Sequence, residues 1–228
     1  MGNVRILAAV GLLSTAVVTH AEITANAALV SDYDFRGITQ TDEEPAVQVG
    51  IDWTHESGWY VGTWASNVDF GTPDPKQEID LYTGYSGETE LGLGWDVGIL
   101  YYLYPRDSDG GFPELYGSLS YRWFTASLAY TNAYLGDYVD EDAWYIAGDV
   151  GIPLLSSSQG GELSLGLHAG YSDGDGIEQA FGDAYADYAI GLTYSANNVD
   201  VGIKWVTADA DGYGDRVVLS VGTTLPWK

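Results

Sequence analysis

Few side chains in this sequence stand at spacings that support catalysis. There is no cysteine, and the histidines are His20, His55 and His168. Thiolate nucleophiles and thiolate metal clusters are therefore excluded. His55-Glu56-Ser57 sets an imidazole and a hydroxyl two residues apart, on one face of an extended chain. No orienting group follows, since Gly58 comes next, so no nucleophile–base–orienter set assembles. His168 falls at period two with Ser164, Gly166 and Ser172, which marks it as a hydrogen-bonded histidine on a polar face. Two acidic, glycine-punctuated stretches place oxygen ligands at alternate positions, as Ca²⁺ loops do. One holds Asp173 and Asp175, the other Asp209, Asp211 and Asp215. Neither ends in the bidentate Glu that completes such a loop. Solvated acidic loops with at most a weak Ca²⁺ site, no other cofactor and no enzymatic activity are expected.

The remaining charges alternate along extended runs, and those runs must position them. The chain has 228 residues, with 33 Asp plus Glu against 8 Lys plus Arg and a formal net charge of −25. Such a balance excludes nucleic acid as a partner, because phosphate binding needs a basic footprint. Hydrophobic residues at 46% and aromatics at 14% exclude acidic disorder. A mean hydropathy of −0.07, with no apolar run near the roughly 20 residues of a spanning helix, excludes a membrane helix bundle. Residues 1–21 read as a cleavable secretory signal. Met1 to Arg5 gives a positive start, Ile6 to Val18 an apolar stretch, and Thr19-His20-Ala21 a small-residue cleavage site. Without a following cysteine the exported chain is not lipidated, and residues 22–228 form one domain.

That domain has the period-two pattern of strands. Leu163 to Tyr171, Tyr188 to Tyr194, Val199 to Trp205 and Val47 to Trp53 alternate large apolar with small or polar residues. Twelve strands are predicted, over 22–40, 46–56, 59–70, 77–86, 91–104, 112–122, 124–134, 142–153, 162–172, 184–195, 198–208 and 215–227. Within 59–70 both parities carry Trp or Tyr, so facing there is open. Many runs approach the length that crosses a bilayer at a tilt. The polar parity is Gly, Ser, Thr, Ala and Asp, with few of the long charged side chains that a water-facing exterior carries. The apolar parity has Trp53, Tyr188, Tyr194, Trp205 and Trp227 near strand ends, as aromatic girdles require. The fold class expected is all-β: a transmembrane antiparallel up-and-down barrel of about 12 strands in a Gram-negative outer membrane. Outer-membrane lipids are its surroundings. Ser220 to Trp227 resembles the C-terminal signal read by the barrel-assembly machinery, although Lys228 follows the aromatic and Pro226 removes a ladder donor.

Parity then sorts the charges. Asp32, Asp34 and Arg36 share one parity of the first run, and Asp52, Asp80, Asp96, Arg122, Asp149 and Lys204 hold the polar parity of later runs. A charge on the lipid face costs roughly 2–4 kcal/mol for Arg or Lys at mid-membrane, so these nine are expected to line the lumen. Two readings stay open: a charged constriction that favours cations, or a paired network that plugs a narrow barrel. With the N-terminus on the periplasmic side, the six outer connections carry 21 acids and the five inner turns carry 5.

Ser31 to Thr41, with Pro45-Ala46 and Gly62 to Phe70, resembles the signature of the TorF porin family, catalogued as Gcw_chp. That resemblance implies an outer-membrane porin and brings no catalytic residues with it. Passive diffusion of small solutes or ions with a cation preference is expected. The alternative is a non-conducting barrel whose acidic outer loops bind cations or a partner.

Overall fold

A computed structural model describes residues 21–72, 75–157 and 160–227. The expected signal peptide lies outside them except for Ala21. In chain order the strands are β1 (Glu22–Val30), a short pair β2 (Asp34–Phe35) and β3 (Ile38–Thr39), then β4 (Ala46–Thr54), β5 (Trp59–Asn67), β6 (Gln77–Glu88) and β7 (Leu93–Leu103). They continue as β8 (Phe112–Tyr121), β9 (Phe124–Tyr134), β10 (Glu141–Ser156), β11 (Gly161–Asp173), β12 (Tyr185–Ala196), β13 (Val199–Ala208) and β14 (Arg216–Trp227). A helix α1 (Asp175–Phe181) stands between β11 and β12. Every strand but β2 and β3 joins one closed barrel, each pairing antiparallel with its sequence neighbour, and β1 closes on β14 from Ile23↔Trp227 to Val30↔Ser220.

Period two sets which side chains meet the surroundings. Along β4 the outward residues Val47, Val49 and Ile51 are about half exposed, while Asp52 is buried. Leu81, Ile99, Leu128, Ile203 and Leu219 continue the exposed apolar wall on other strands. A water-soluble protein does not expose an apolar surface of that extent; a bilayer accepts it. In β5 the facing left open by the sequence resolves. Trp59 and Val61 point out, and Tyr60 and Ser66 are buried inside.

Short connections, 55–58, 89–92, 122–123, 157–160 and 197–198, gather at one end of the barrel, here the turn end. The long ones, 31–45, 68–76, 104–111, 135–140, 174–184 and 209–215, gather at the loop end. Three sequence expectations need correction. The first strand stops at Val30 rather than running to residue 40, and 31–45 folds into the lumen. The apparent long turn at 153–162 is mostly strand: Pro153 interrupts the ladder, the register shifts between Pro153 and Leu155, and β10 continues to Ser156. The connection 174–184 contains α1, stopped by Gly182 in the left-handed region at φ 90.

An apolar core fills the lumen at the loop end. Ile38 of the inward segment packs with Leu100, Tyr102, Tyr104 and Phe112, and with Tyr134, Tyr185 and Ala208. Ile177 of α1 and Ala210 of the β13–β14 loop cover it. Phe112 stacks on Tyr102 at 4.6 Å between ring centroids, and Tyr134 meets Phe112 edge-on at 5.5 Å.

Candidate functional site

The site begins with the hairpin that β2 and β3 make inside the barrel. Asp34 pairs with Thr39 and Phe35 with Ile38, so Arg36 and Gly37 form a two-residue turn. Both have positive φ, 51 for Arg36 and 80 for Gly37, as the tight hairpin turn of primed type needs. Gly37 has a second reason to be glycine. A Cβ there would come within 2.6 Å of the Asp187 Cβ and 2.8 Å of the Ala208 Cβ, because the tip presses on β12 and β13. Hydroxyls stitch the hairpin base: Thr39 donates to Asp32 at 2.5 Å, Thr41 donates to the Glu44 carbonyl at 2.6 Å, and the Tyr33 amide donates to the Thr41 hydroxyl at 3.1 Å.

Three bases reach this hairpin or belong to it. Nη2 of Arg36 lies 2.8 Å from both oxygens of Glu114 on β8. Lys204 of β13 donates to Asp34 at 2.8 Å. Arg216 of β14 donates to the other Asp34 oxygen at 2.8 Å and to the Gly37 carbonyl at 2.6 Å, and its Nη1 lies 3.3 Å from Asp32. Side chains of Arg216, Asp32 and Asp34 are nearly fully buried, which makes these pairs costly to break singly.

The β4–β7 wall differs. Asp52 accepts from the Tyr82 hydroxyl and from Asn26 at 3.2 Å. Asp96 accepts from Tyr60 at 2.9 Å, and Tyr60 meets the Tyr116 hydroxyl at 2.6 Å. Glu78 accepts from Tyr33 at 2.8 Å and Tyr104 at 2.9 Å. Asp80, only 7% exposed, keeps one carboxylate oxygen without a hydrogen-bond partner. Among the described residues, the lysine and arginine ion pairs of the lumen go to Asp32, Asp34 and Glu114 instead of these four acids. Tyrosine rings lie over glycines of neighbouring strands: the Tyr60 hydroxyl is 2.2 Å from where a Cβ of Gly84 would stand. Rings of that size pack against the wall only where no Cβ intervenes.

On the β10–β12 wall His168 bridges two carboxylates. Nδ1 is 2.7 Å from Asp149 and Nε2 is 2.8 Å from Asp187, with the Tyr145 hydroxyl 2.9 Å from Nε2. With both ring nitrogens engaged, the ring ties three strands together. His55 and Ser57 do meet, Nδ1 to Oγ 2.7 Å, but on the exposed 55–58 turn, outside the lumen.

Of the expected lumen charges, Asp52, Asp80, Asp96, Asp149 and Lys204 project inward from strands. Asp32, Asp34 and Arg36 are inside too, on the hairpin rather than on the wall. Arg122 is not in the lumen: it is exposed in the 122–123 turn at φ 57, with its guanidinium 5.2 Å from the Tyr121 ring centroid. A two-residue turn leaves no strand position for it, so the polar parity did not apply. Arg216, Glu78, Glu114, Asp187 and Asp200 were absent from the expected set. All five lie inside strands expected from the sequence, 77–86, 112–122, 184–195, 198–208 and 215–227, the first four toward their loop ends. Parity alone finds them, since each alternates with an inward neighbour such as Asp80, Tyr116, Ala189 or Val218. The acidic loops do not converge. Asp173 accepts from the Gly174 amide at 2.7 Å and Asp209 from the Ala186 amide at 2.6 Å, while Asp175, Asp211 and Asp215 are exposed. Among the described residues no three His, Cys, Asp or Glu side chains are grouped to hold a metal ion. In the 68–76 loop, hydrogen bonds from Lys76 and the Gly71 amide hold the Asp69 carboxyl below its ordinary range.

An apolar outer wall, inward-facing charges and a loop folded into the lumen define a closed, 12-strand transmembrane β-barrel. The chain belongs to the Gcw_chp family, a bacterial protein family of unknown function, which matches residues 15–222. The TorF name is not part of that match. None of the curated proteins compared matches the sequence. The fold is similar to that of the KdgM porin in complex with disordered oligogalacturonate, at TM-score 0.55 and 9% identity, covering 91% of this chain and 99% of that one. The NanC porin is similar at TM-score 0.52 and 12% identity, covering 90% of this chain and 99% of that one. An outer-membrane channel from Pseudomonas putida F1 is similar at TM-score 0.50 and 9% identity, covering 93% and 97%.

Proposed function

We propose that the protein is a narrow outer-membrane channel of a Gram-negative bacterium, with its long loops outside, that passes small cations and neutral solutes around the 31–45 hairpin. One observation carries the proposal: every lumen base is committed to an acid, while Asp52, Glu78, Asp80 and Asp96 are held by tyrosine or asparagine donors or by none. Uncompensated acids in a low-dielectric wall concentrate cations and repel anions. The KdgM porin structure is a complex with disordered oligogalacturonate, a polyanion; among the described residues here, the lumen bases Arg36, Lys204 and Arg216 are each paired with an acid. The TorF-like signature in 31–70 supports the porin reading and supplies no substrate. Outer-membrane lipids and, through the β14 sequence, the barrel-assembly machinery are the expected partners.

The dense core around Ile38 favours a second reading, a barrel that does not conduct while the hairpin is seated. Single-channel recording in planar bilayers separates the two. A cation-selective K⁺/Cl⁻ reversal potential is expected, shrinking as salt rises because screening acts over about 10 Å at 0.1 M. Asp52→Asn and Asp96→Asn should reduce it more than Asp140→Asn and Asp142→Asn. Anion selectivity would refute the channel proposal, and silence at all voltages would leave the plugged barrel.

A further inference from the structure

Arg36 is held as a bound ligand would be. Its guanidinium lies between two aromatic rings, 4.6 Å from the Phe35 centroid and 4.5 Å from that of Tyr145. Both oxygens of Glu114 face Nη2 at 2.8 Å, and the Tyr102 hydroxyl donates to one of them at 3.1 Å. Tyr102, Glu114 and Tyr145 come from three different strands, and each is at least nine-tenths buried. The chain also accepts a left-handed backbone at Arg36, where a turn alone would favour Asn, Asp or Gly. Stacking faces together with a carboxylate suit the planar, delocalised guanidinium better than a compact ammonium.

We propose that Glu114, Tyr102 and Tyr145 form a guanidinium-binding site in the lumen wall, that Arg36 occupies it as an internal ligand, and that guanidinium-bearing solutes compete with Arg36 and loosen the hairpin. The remaining ion pairs of the hairpin go to Lys204 and Arg216 on β13 and β14, so Arg36–Glu114 is what ties the tip to β8. Emptying that site leaves the tip with ion pairs on one side of the barrel only, and with apolar packing of Phe35 and Ile38 on the other. The link to permeation rests on the channel proposal; the binding site does not.

Arg36→Gly, which suits the left-handed turn, vacates the site. Guanidinium chloride at millimolar, non-denaturing concentration is expected to raise the unfolding temperature of this variant in detergent micelles by a few degrees. Sodium chloride at equal ionic strength should not. Adding Glu114→Gln should weaken the guanidinium effect at least about tenfold, since a charge-assisted pair is lost. Arg36→Asn also tolerates the left-handed turn, vacates the site and should respond as Arg36→Gly does, which guards against a folding failure of the glycine variant. Equal responses to the two salts, or a response indifferent to Glu114→Gln, would overturn the site. In bilayers, guanidinium should increase the wild-type current beyond the sodium control. Stabilisation of Arg36→Gly without any current from either protein would sustain the site and remove the channel.

Discussion

Asp34 shows how much the lumen depends on single residues. Its two oxygens receive Lys204 and Arg216 from adjacent strands, and Arg216 is among the most buried charges of the barrel. Removing the carboxylate leaves Lys204 without its acid and Arg216 with only the longer contact to Asp32 and the Gly37 carbonyl, and deleting one partner of a buried pair costs about 3 kcal/mol or more. Asp34→Ala is therefore expected to lower the unfolding free energy of vesicle-embedded protein, read from urea titration, by that amount. Asp69→Ala breaks a bridge of equal length whose two side chains are each 47% exposed. Solvent-screened pairs contribute about 0–1 kcal/mol, so this second variant should unfold almost as the parent does. Equal losses from the two variants would contradict the buried network.

Strands of this barrel are two-sided elements, and each side answers to a different solvent. Ile203 on β13 points outward at 49% exposure, and Thr193 on neighbouring β12 stands on the lumen parity. Ile203→Arg should cost roughly 2–4 kcal/mol if that wall lies at mid-membrane, and Thr193→Arg much less. Urea unfolding from lipid vesicles measures both, and a reversed order would mean that the apolar wall does not face lipid. The hairpin is an element of another kind. β2 and β3 have two residues each, too few to be stable alone. They persist because the barrel wall supplies partners to Asp34, Arg36 and Tyr33.

At the scale of the whole molecule, acids and long connections share one end. The 174–184 and 209–215 segments belong to the loop end, and the 157–160 turn to the opposite one. If the loop end is extracellular, as the channel proposal holds, a broad-specificity protease added to intact cells should cut in 209–215 and in 174–184. Cleavage confined to 157–160 would place the barrel the other way up.

Strand number, strand order and facing were legible in the sequence because alternation is a local property. Val47 to Trp53 reveals an outward and an inward side without knowledge of any neighbour. Errors came where local pattern and global geometry part. Residues 31–40 alternate as a strand does, yet they leave the wall after Val30 and turn inward at Arg36-Gly37. Only the closed barrel decided that, since the hairpin's stabilising partners, Glu78, Glu114, Lys204 and Arg216, lie between 45 and 182 residues away in sequence. Likewise composition announced an acid excess, but not its division. Which acids are neutralised by Arg36, Lys204 and Arg216, and which are left to tyrosines, depends on pairs across the lumen that no run of sequence contains.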